Sequence, residues 1–189
     1  MIRILAGSVA SAIAMTIAMM LFWATPLDRL AYAGAPDANA AAVQTTLAQQ
    51  LSPSGTGTYQ IPAPYGSAQN TILYARGPIA TVHFNSVGQP VSSSGGFVGG
   101  FVLFFTVSLL VGAALSGIAP YVSDFGARAR LSAIFAVAAS ALVHGAEPIF
   151  DHYDLGWSIY NLVTDGILLA LPGLILSRWF LPARIGASQ

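Results

Sequence analysis

The stretch FVGGFVLFFTVSLLVGAALSGIA, residues 97–119, contains no charged residue and is followed by Pro120. A helix that crosses a bilayer needs about 20 mainly apolar residues, because lipid offers no hydrogen-bond partner to an exposed backbone. This stretch therefore predicts a transmembrane helix. The whole chain agrees, since 55% of its 189 residues are hydrophobic and only 7% are charged, against about 25% charged in soluble domains.

Three further segments are long and apolar enough to cross a membrane, namely residues 1–25, 131–147 and 157–180. The last contains Pro172-Gly173, which we expect to interrupt its helix. Residues 131–147 are rich in alanine, so we expect this helix to be the most buried of the four. The predicted fold class is an all-α membrane protein with four transmembrane helices and a small α+β extracytoplasmic insertion between helices 1 and 2.

The first segment has a second interpretation as a secretory signal. Arg3 precedes its apolar run, and the small-residue site Ala31-Tyr32-Ala33 follows it. The run of about 20 residues is longer than the 7–15 typical of a signal peptide. We therefore interpret it as an anchor that is not cleaved.

The arginines predict the orientation, because cytoplasmic loops carry the excess of basic residues. Four spans place Arg29 and Arg76 on one side of the membrane and the other five arginines on the opposite side. The five are Arg3, Arg128, Arg130, Arg178 and Arg184. We therefore expect a multi-pass protein of the bacterial inner membrane with both termini cytoplasmic. The predicted segments are helix 1 (1–25), an extracytoplasmic domain (26–96), helix 2 (97–119), a cytoplasmic loop (120–130), helix 3 (131–147), an extracytoplasmic loop (148–156), helix 4 (157–180) and a cytoplasmic tail (181–189).

The extracytoplasmic domain has its own secondary-structure signals. Residues 37–51 predict a helix, because Pro36-Asp37 is a start signal and Ser52-Pro53 a stop signal. The β-branched residues at 58–61, 71–74 and 79–84 predict three short strands.

Most of the seven acidic and three His residues lie in or between the last two spans. Helical spacing places His144 and Glu147 on one face of helix 3, and Asn161 and Asp165 on one face of helix 4. A short loop joins these two helices, so we expect them to be antiparallel neighbours whose polar faces meet. Asp165 lies about 12 Å into the span at 1.5 Å per residue. The candidate polar patch comprises His144, Glu147, Asp151, His152, Asp154, Asn161 and Asp165.

Three interpretations of this patch remain open. In the structural one, Asp165 bonds its neighbours and holds helices 3 and 4 together, while the loop acids are solvated. In the second, the patch is a docking surface for a partner subunit or a basic soluble carrier. In the third, His144 and Glu147 contribute to a metal, proton-relay or quinone site. Di-iron bundles use a related spacing in Glu-x-x-His order but need further glutamates, and this chain has a single Glu. No metal ligand or catalytic residue is assigned, and we expect no cofactor.

Small residues recur on the second span at intervals that let helix backbones approach closely. The candidate helix-packing residues are Gly96, Gly100, Ser108, Gly112 and Ser116. Part of this surface would close the four-helix bundle, and the rest could bind another membrane protein.

Two short motifs carry a resemblance. The segment 57–62 reads G-x-Y-x-x-P, and Gly77-Pro78 follows it between the first span and the last three. This layout is similar to a group of small bacterial inner-membrane proteins with one anchor helix, a short extracytoplasmic domain and three further spans. The resemblance implies the location and topology given above and implies no activity.

The sequence lacks the nucleophile elbow, the metal-binding His helix and the Lys-containing phosphate loop of common enzyme families. We therefore expect a non-catalytic accessory or assembly subunit of a larger bacterial inner-membrane complex. Respiratory and photosynthetic complexes are the energy-transducing hosts in which such subunits would occur. Its expected partners are other integral membrane proteins and lipid, and no nucleic acid. The alternatives are a small redox, metal or quinone protein using His144, Glu147 and Asp165, and a proton-coupled transporter.

Overall fold

Four helices are long and apolar enough to cross a membrane in the computed structural model, which describes residues 1–182. The elements in chain order are α1 (Ile2–Trp23), a 3-10 turn (Pro26–Leu30), α2 (Asp37–Leu51), a second 3-10 turn (Ser52–Ser54), β1 (Gly57–Ile61), α3 (Ala68–Arg76), β2 (Ala80–Phe84), α4 (Ser94–Ile118), α5 (Phe125–Phe150), α6 (Leu155–Ile175) and a π-helical turn (Leu176–Phe180). Most of the tail predicted at 181–189, including Arg184, lies outside the described residues.

The described chain divides into two compact units. The insertion unit is Gly34–Val91, and the bundle unit contains residues 1–33 together with the described residues from Ser92 onward. The bundle unit holds α1, α4, α5 and α6, whereas the insertion unit holds α2, α3 and the two strands. The four predicted long apolar helices and the small α+β insertion are confirmed, and the sheet of the insertion has two strands where the sequence predicted three.

The two strands of the insertion unit pair antiparallel, with Gly57 opposite Phe84 and Ile61 opposite Ala80. The Tyr59 and Phe84 rings meet edge to face with their centroids 6.4 Å apart. His83 Nδ1 lies 3.0 Å from the hydroxyl of Thr58, its partner across the sheet. His83 therefore has a hydrogen-bond partner within the sheet.

The strand predicted at 71–74 is wrong, because these residues lie within α3. The Ser67 hydroxyl accepts a hydrogen bond from the Asn70 backbone N–H at 3.1 Å, which caps the first turn. Gly77 ends the helix with a φ of 66°, a conformation that costs glycine little. The Ser67 cap and Gly77 therefore outweigh the strand preference of Thr71 and Ile72, because that preference is weak and depends on context.

Helix α6 is the hub of the bundle unit. It packs against α1, α4 and α5, whereas α4 and α5 do not form a packed pair within the described chain although they are consecutive. The expectation that residues 131–147 form the most buried helix is therefore wrong, since α6 is the most buried of the four and α5 among the least. Alanine content does not decide burial here, because an alanine-rich surface can face lipid as readily as protein.

Neither proline ends its helix where the sequence suggested. Pro148 lies in the last turn of α5, which continues to Phe150, so the loss of one N–H affects only the end of the helix. Pro172 lies inside α6, which runs through it to Ile175 and then into the π-helical turn. The predicted interruption at Pro172-Gly173 is therefore not observed.

The close approaches in the bundle are made at small residues. A Cβ atom added at Gly7 would lie 2.5 Å from a methyl group of Leu176, and one at Gly112 would lie 2.8 Å from Ile4. A Cβ at Gly173 would collide with the Cβ and hydroxyl of Ser132 on α5. These positions need glycine because the neighbouring element occupies the space of a side chain.

The five candidate packing residues of α4 divide into two groups. Ser108 is fully buried, and its hydroxyl donates to the sulfur of Met15 at 3.5 Å. Gly112 is buried against α1 and Leu176. Ser116 is only partly buried and donates to a carbonyl of its own helix. A Cβ added at Gly100 would meet no atom within 4 Å in the described part of the chain, and one at Gly96 would meet only the Ser93 hydroxyl.

The connection between α4 and α5 is tied down by Arg128. Its side chain is almost fully buried, and its guanidinium donates to the backbone carbonyls of Val122 and Ala119. Asp124 caps the start of α5 by accepting from the Ala127 N–H at 2.8 Å. These bonds satisfy carbonyl and N–H groups at the helix ends.

Candidate functional site

A chain of hydrogen bonds joins α5 and α6 through His144. The Nε2 atom of His144 lies 2.8 Å from Oδ2 of Asp165, and its Nδ1 lies 3.1 Å from Oε2 of Glu147. The Ser158 hydroxyl also donates to Oε2 of Glu147 at 3.3 Å. We call His144, Glu147, Asp165 and Ser158 the imidazole–carboxylate chain.

Local packing of α5 against α6 sets this geometry. One turn before His144, the Ser140 hydroxyl donates to the carbonyl of Leu162 at 2.7 Å. Gly166 lies beside Ser140, and a Cβ at this glycine would be only 3.9 Å from the serine Cβ. Because residues four apart share a helix face, the Ser140 contact brings His144 against Asp165. The contact expected between the polar faces of the two helices is confirmed for this pair.

Asp165 differs in exposure from the other members of the chain. The His144 side chain is 9% exposed and that of Glu147 is 17% exposed, whereas the Asp165 side chain is 42% exposed. Asp165 lies ten residues after the start of α6 at Leu155, which is about 15 Å along the helix. Thus a half-exposed carboxylate lies well inside an apolar helix.

Other members of the predicted polar patch have roles in the loop or within one helix. Asp154 caps α6 by accepting from the Trp157 N–H at 3.1 Å. Asp151 lies at the end of α5, where its backbone N–H bonds to the Glu147 carbonyl. His152 adopts a φ of 58° in the connection. The Asn161 side chain donates to the carbonyl of Trp157 in its own helix at 2.9 Å. Of the seven, the structure joins His144, Glu147 and Asp165 in one chain of hydrogen bonds.

The imidazole–carboxylate chain is not shaped to hold a metal ion. His144 lies between the two carboxylates and directs one ring nitrogen towards each, so the three groups do not converge on one point. Within residues 1–182, no group of three or more His, Asp or Glu side chains could hold a metal ion. Such an arrangement can pass a proton between two carboxylates, because each ring nitrogen can donate or accept.

Sequence reasoning missed an aromatic cluster at the α5–α6 connection. Trp23 packs on Tyr160 at 5.2 Å and on Trp157 at 6.0 Å between ring centroids, and Tyr32 packs on Trp157 at 5.2 Å. Trp and Tyr are enriched where membrane helices meet water. Their placement near the ends of apolar segments was the signal available in the sequence.

Tyr160 links this cluster to the backbone of α1, since its hydroxyl donates to the carbonyl of Phe22 at 2.6 Å. We expect Tyr160→Phe to lower the free energy of unfolding by about 1 kcal/mol, the net value of one such bond. Thermal unfolding of the protein in a mild detergent measures the change. Tyr121→Phe is the control, because Tyr121 is 88% exposed and this change should have no measurable effect. Equal unfolding temperatures for all three proteins would contradict the bond.

A groove lies between α4 and α5 where the two helices fail to pack. It has a volume of about 330 Å³ and is almost entirely apolar. Val111, Leu115 and Ile118 line it from α4, Phe135 and Ala139 from α5, and Leu169 from α6. Asp165 precedes Leu169 by four residues and so lies on the same face of α6. The half-exposed carboxylate thus lies one turn beyond the floor of this α4–α5 groove.

No protein-family model, curated protein or solved structure matches this chain.

Proposed function

We propose that the protein is a non-catalytic integral membrane subunit of a larger bacterial inner-membrane complex, with both termini in the cytoplasm. The observation that carries the proposal is the unpartnered glycine segment of α4, defined as Gly95, Gly96, Gly99 and Gly100. A Cβ at Gly95, Gly99 or Gly100 would meet nothing within 4 Å in the described residues, and one at Gly96 would meet only the Ser93 hydroxyl.

Glycine has a cost in a helix that a neighbour normally offsets. It is about 1 kcal/mol less favourable than alanine in a helix interior, and membrane helices use it where a second backbone approaches closely. Gly112 of the same helix illustrates this use, since Ile4 and Leu176 pack directly against it. The unpartnered glycine segment offers the same kind of surface to a helix of another protein.

The insertion unit supports the same proposal. None of the residues in Gly34–Val91 is buried, so the unit has no core of its own. Domains of this size bury too little surface to be more than marginally stable alone. A partner that covers part of this surface would supply the missing burial.

The test is purification of the tagged full chain from native membranes in a mild detergent or in nanodiscs, followed by mass spectrometry of co-purifying proteins. We expect a fixed set of membrane proteins in constant stoichiometry. Gly100→Leu should reduce the recovery of that set about tenfold, which corresponds to roughly 1.4 kcal/mol. Gly117→Leu makes the same change at an open position near the other end of α4 and should leave recovery unchanged. The proposal would be refuted if the unmodified chain purified without any other membrane protein.

A further inference from the structure

We propose that a pocket at the end of the bundle unit where α1 begins and α4 ends binds the phosphate headgroup of an anionic phospholipid, and that Arg3 contacts the phosphate. Six of the residues that line this Arg3 pocket are Arg3 and Ile4 of α1, Ser116 and Ala119 at the end of α4, Phe180 of the π-helical turn, and Leu181. The proposal goes beyond the proposed function, because it needs no partner protein.

The size and position of the pocket suit a headgroup. Its volume of about 390 Å³ lies within the range of about 300–1,000 Å³ that small-molecule sites occupy. Three apolar helices start or end around it, since α1 begins at Ile2, α4 ends at Ile118 and the π-helical turn extends α6 to Phe180. The ends of helices that cross a bilayer lie at the level of the headgroups. The pocket is therefore at the depth where a lipid phosphate would be found.

Arg3 supplies a positive charge that no carboxylate within residues 1–182 pairs with. Its side chain is exposed. Within the described bundle unit, Asp124 is the acidic residue at this end, and its carboxylate caps α5 by accepting from the Ala127 N–H. The other acidic residues of that unit lie after α1, at the α5–α6 connection or within α6, and they are Asp28, Glu147, Asp151, Asp154 and Asp165. The charge of Arg3 is thus available to an anion.

The end of α4 could repel an anion, because the last carbonyls of a helix carry partial negative charge. Here these carbonyls are already bonded within the chain. The Ile118 carbonyl accepts from the N–H groups of Tyr121 and Val122, and the Ala119 carbonyl accepts from the buried guanidinium of Arg128. Arg128 therefore also adds a positive charge behind the wall of the pocket, which favours an anionic ligand.

The walls of the pocket favour a lipid over a free phosphate ion. Arg presents a planar fork of N–H donors that matches a phosphate group. Beside Arg3, however, the walls are apolar and are formed by Ile4, Phe180 and Leu181. An amphiphile satisfies both surfaces, because its phosphate contacts Arg3 while its glycerol and first acyl carbons cover the apolar side chains. Basic pockets between membrane helices bind anionic headgroups in this way.

Lipid binding to the purified full chain in an uncharged detergent tests the proposal, with native mass spectrometry to count bound lipids. The probes are phosphatidylglycerol, phosphatidylcholine with the same acyl chains, and inorganic phosphate. We expect phosphatidylglycerol to bind at one site and the other two to bind far more weakly. Arg3→Gln should weaken this binding about fivefold, which corresponds to the roughly 1 kcal/mol that one basic residue contributes near anionic lipid.

Two variants separate the pocket from a general attraction to basic residues. Arg130→Gln is the matched control, because Arg130 is also exposed, lies near the same end of the bundle and does not line the pocket. This change should leave the affinity for phosphatidylglycerol near the parent value. Ser116→Trp should abolish the binding by filling the pocket while Arg3 remains. Unfolding temperatures without lipid show whether each variant is folded, and we expect no change for Arg3→Gln because its side chain is exposed.

A photoreactive phosphatidylglycerol gives the location independently of any variant. After irradiation of the unmodified protein in nanodiscs, we expect the label on residues that line the pocket, such as Ile4, Ser116 and Phe180. Equal binding of the two lipids, equal affinities of Arg3→Gln and Arg130→Gln, or a label confined to other surfaces would overturn the proposal. Phosphate that binds as tightly as the lipid would also overturn it. If deletion of residues 183–189 creates lipid binding that the full chain lacks, the tail occupies the pocket and the proposal is wrong.

Discussion

Gly173→Leu is expected to separate α5 from α6 and to lower the free energy of unfolding more than Tyr160→Phe, Gly100→Leu or His144→Leu. A Cβ at this glycine would overlap the Cβ and hydroxyl of Ser132, whose Cα is only 3.7 Å away. The hydroxyl can rotate away, but the Cβ of Ser132 cannot move without the backbone of α5. Inserting bulk at a closely packed position typically costs about 1–3 kcal/mol and occasionally more, and we expect the upper end of this range or beyond.

The measurement is thermal unfolding of the purified protein in a mild detergent, together with its abundance in the membrane. Gly117→Leu is the matched control, because it makes the same substitution in α4 at a position with no atom within 4 Å. Gly173→Ala should lie between wild type and Gly173→Leu, since even one methyl group has no room. Equal stability of Gly173→Leu and Gly117→Leu would show that α5 and α6 do not approach as the structure places them.

His144→Leu is expected to be the second most damaging change. It removes the imidazole that separates the Glu147 and Asp165 carboxylates and bonds to both. Removing one partner of a buried hydrogen bond leaves the other unsatisfied, which costs about 1–3 kcal/mol and more for a charged group. We expect about 2–3 kcal/mol here, because the Asp165 side chain is 42% exposed and exposed charges are better solvated.

Neutralising the carboxylates should reverse most of this loss. The variant that combines His144→Leu with Glu147→Gln and Asp165→Asn contains no unpaired charge, and replacing a complete ion-pair set by neutral groups is often tolerated. Unfolding temperatures of the single and triple variants in the same detergent measure the recovery. His83→Leu is the control, since His83 bonds only to Thr58 across the sheet and should change stability by about 0.5 kcal/mol or less. If His144→Leu is as stable as wild type, the imidazole–carboxylate chain does not hold the two helices together.

The two predictions have different meanings for function. The Gly173 result concerns only the packing of α5 against α6, whereas the His144 result also concerns the imidazole–carboxylate chain. A stable triple variant would lack that chain while keeping the fold.

Local sequence patterns determined most of the secondary structure. The apolar runs predicted the four long helices because backbone groups in lipid must bond within their own segment. Start and stop signals predicted α2 with the observed bounds, Asp37–Leu51, and β-branched residues predicted the strands at β1 and β2. The strand predicted at 71–74 was wrong because the Ser67 cap and Gly77, which start and end a helix, have more influence there than the β-branched residues.

Periodicity also predicted part of the candidate site. His144 and Asp165 were expected to face each other because a short connection makes α5 and α6 antiparallel neighbours, and they do so at 2.8 Å. The sequence alone did not show that Asp165 is half exposed or that Glu147 bonds to the other nitrogen of the same imidazole. Both facts depend on the rotation of each helix about its axis, which hydrophobic spacing fixes only loosely in a helix that is apolar on every face.

The sequence by itself determined that this chain forms four long apolar helices, because composition and run length set that outcome without reference to any neighbour. Only the tertiary structure decided which helix lies at the centre and which pair stays apart. Helix α6 lies at the centre because two sets of contacts meet there. On one side, Gly173 leaves room for Ser132 of α5. On another side, Leu176, which follows the last residue of α6, packs against Gly7 of α1 and Gly112 of α4. The groove between α4 and α5 follows from that packing, since contact between helix surfaces depends on shape at particular residues.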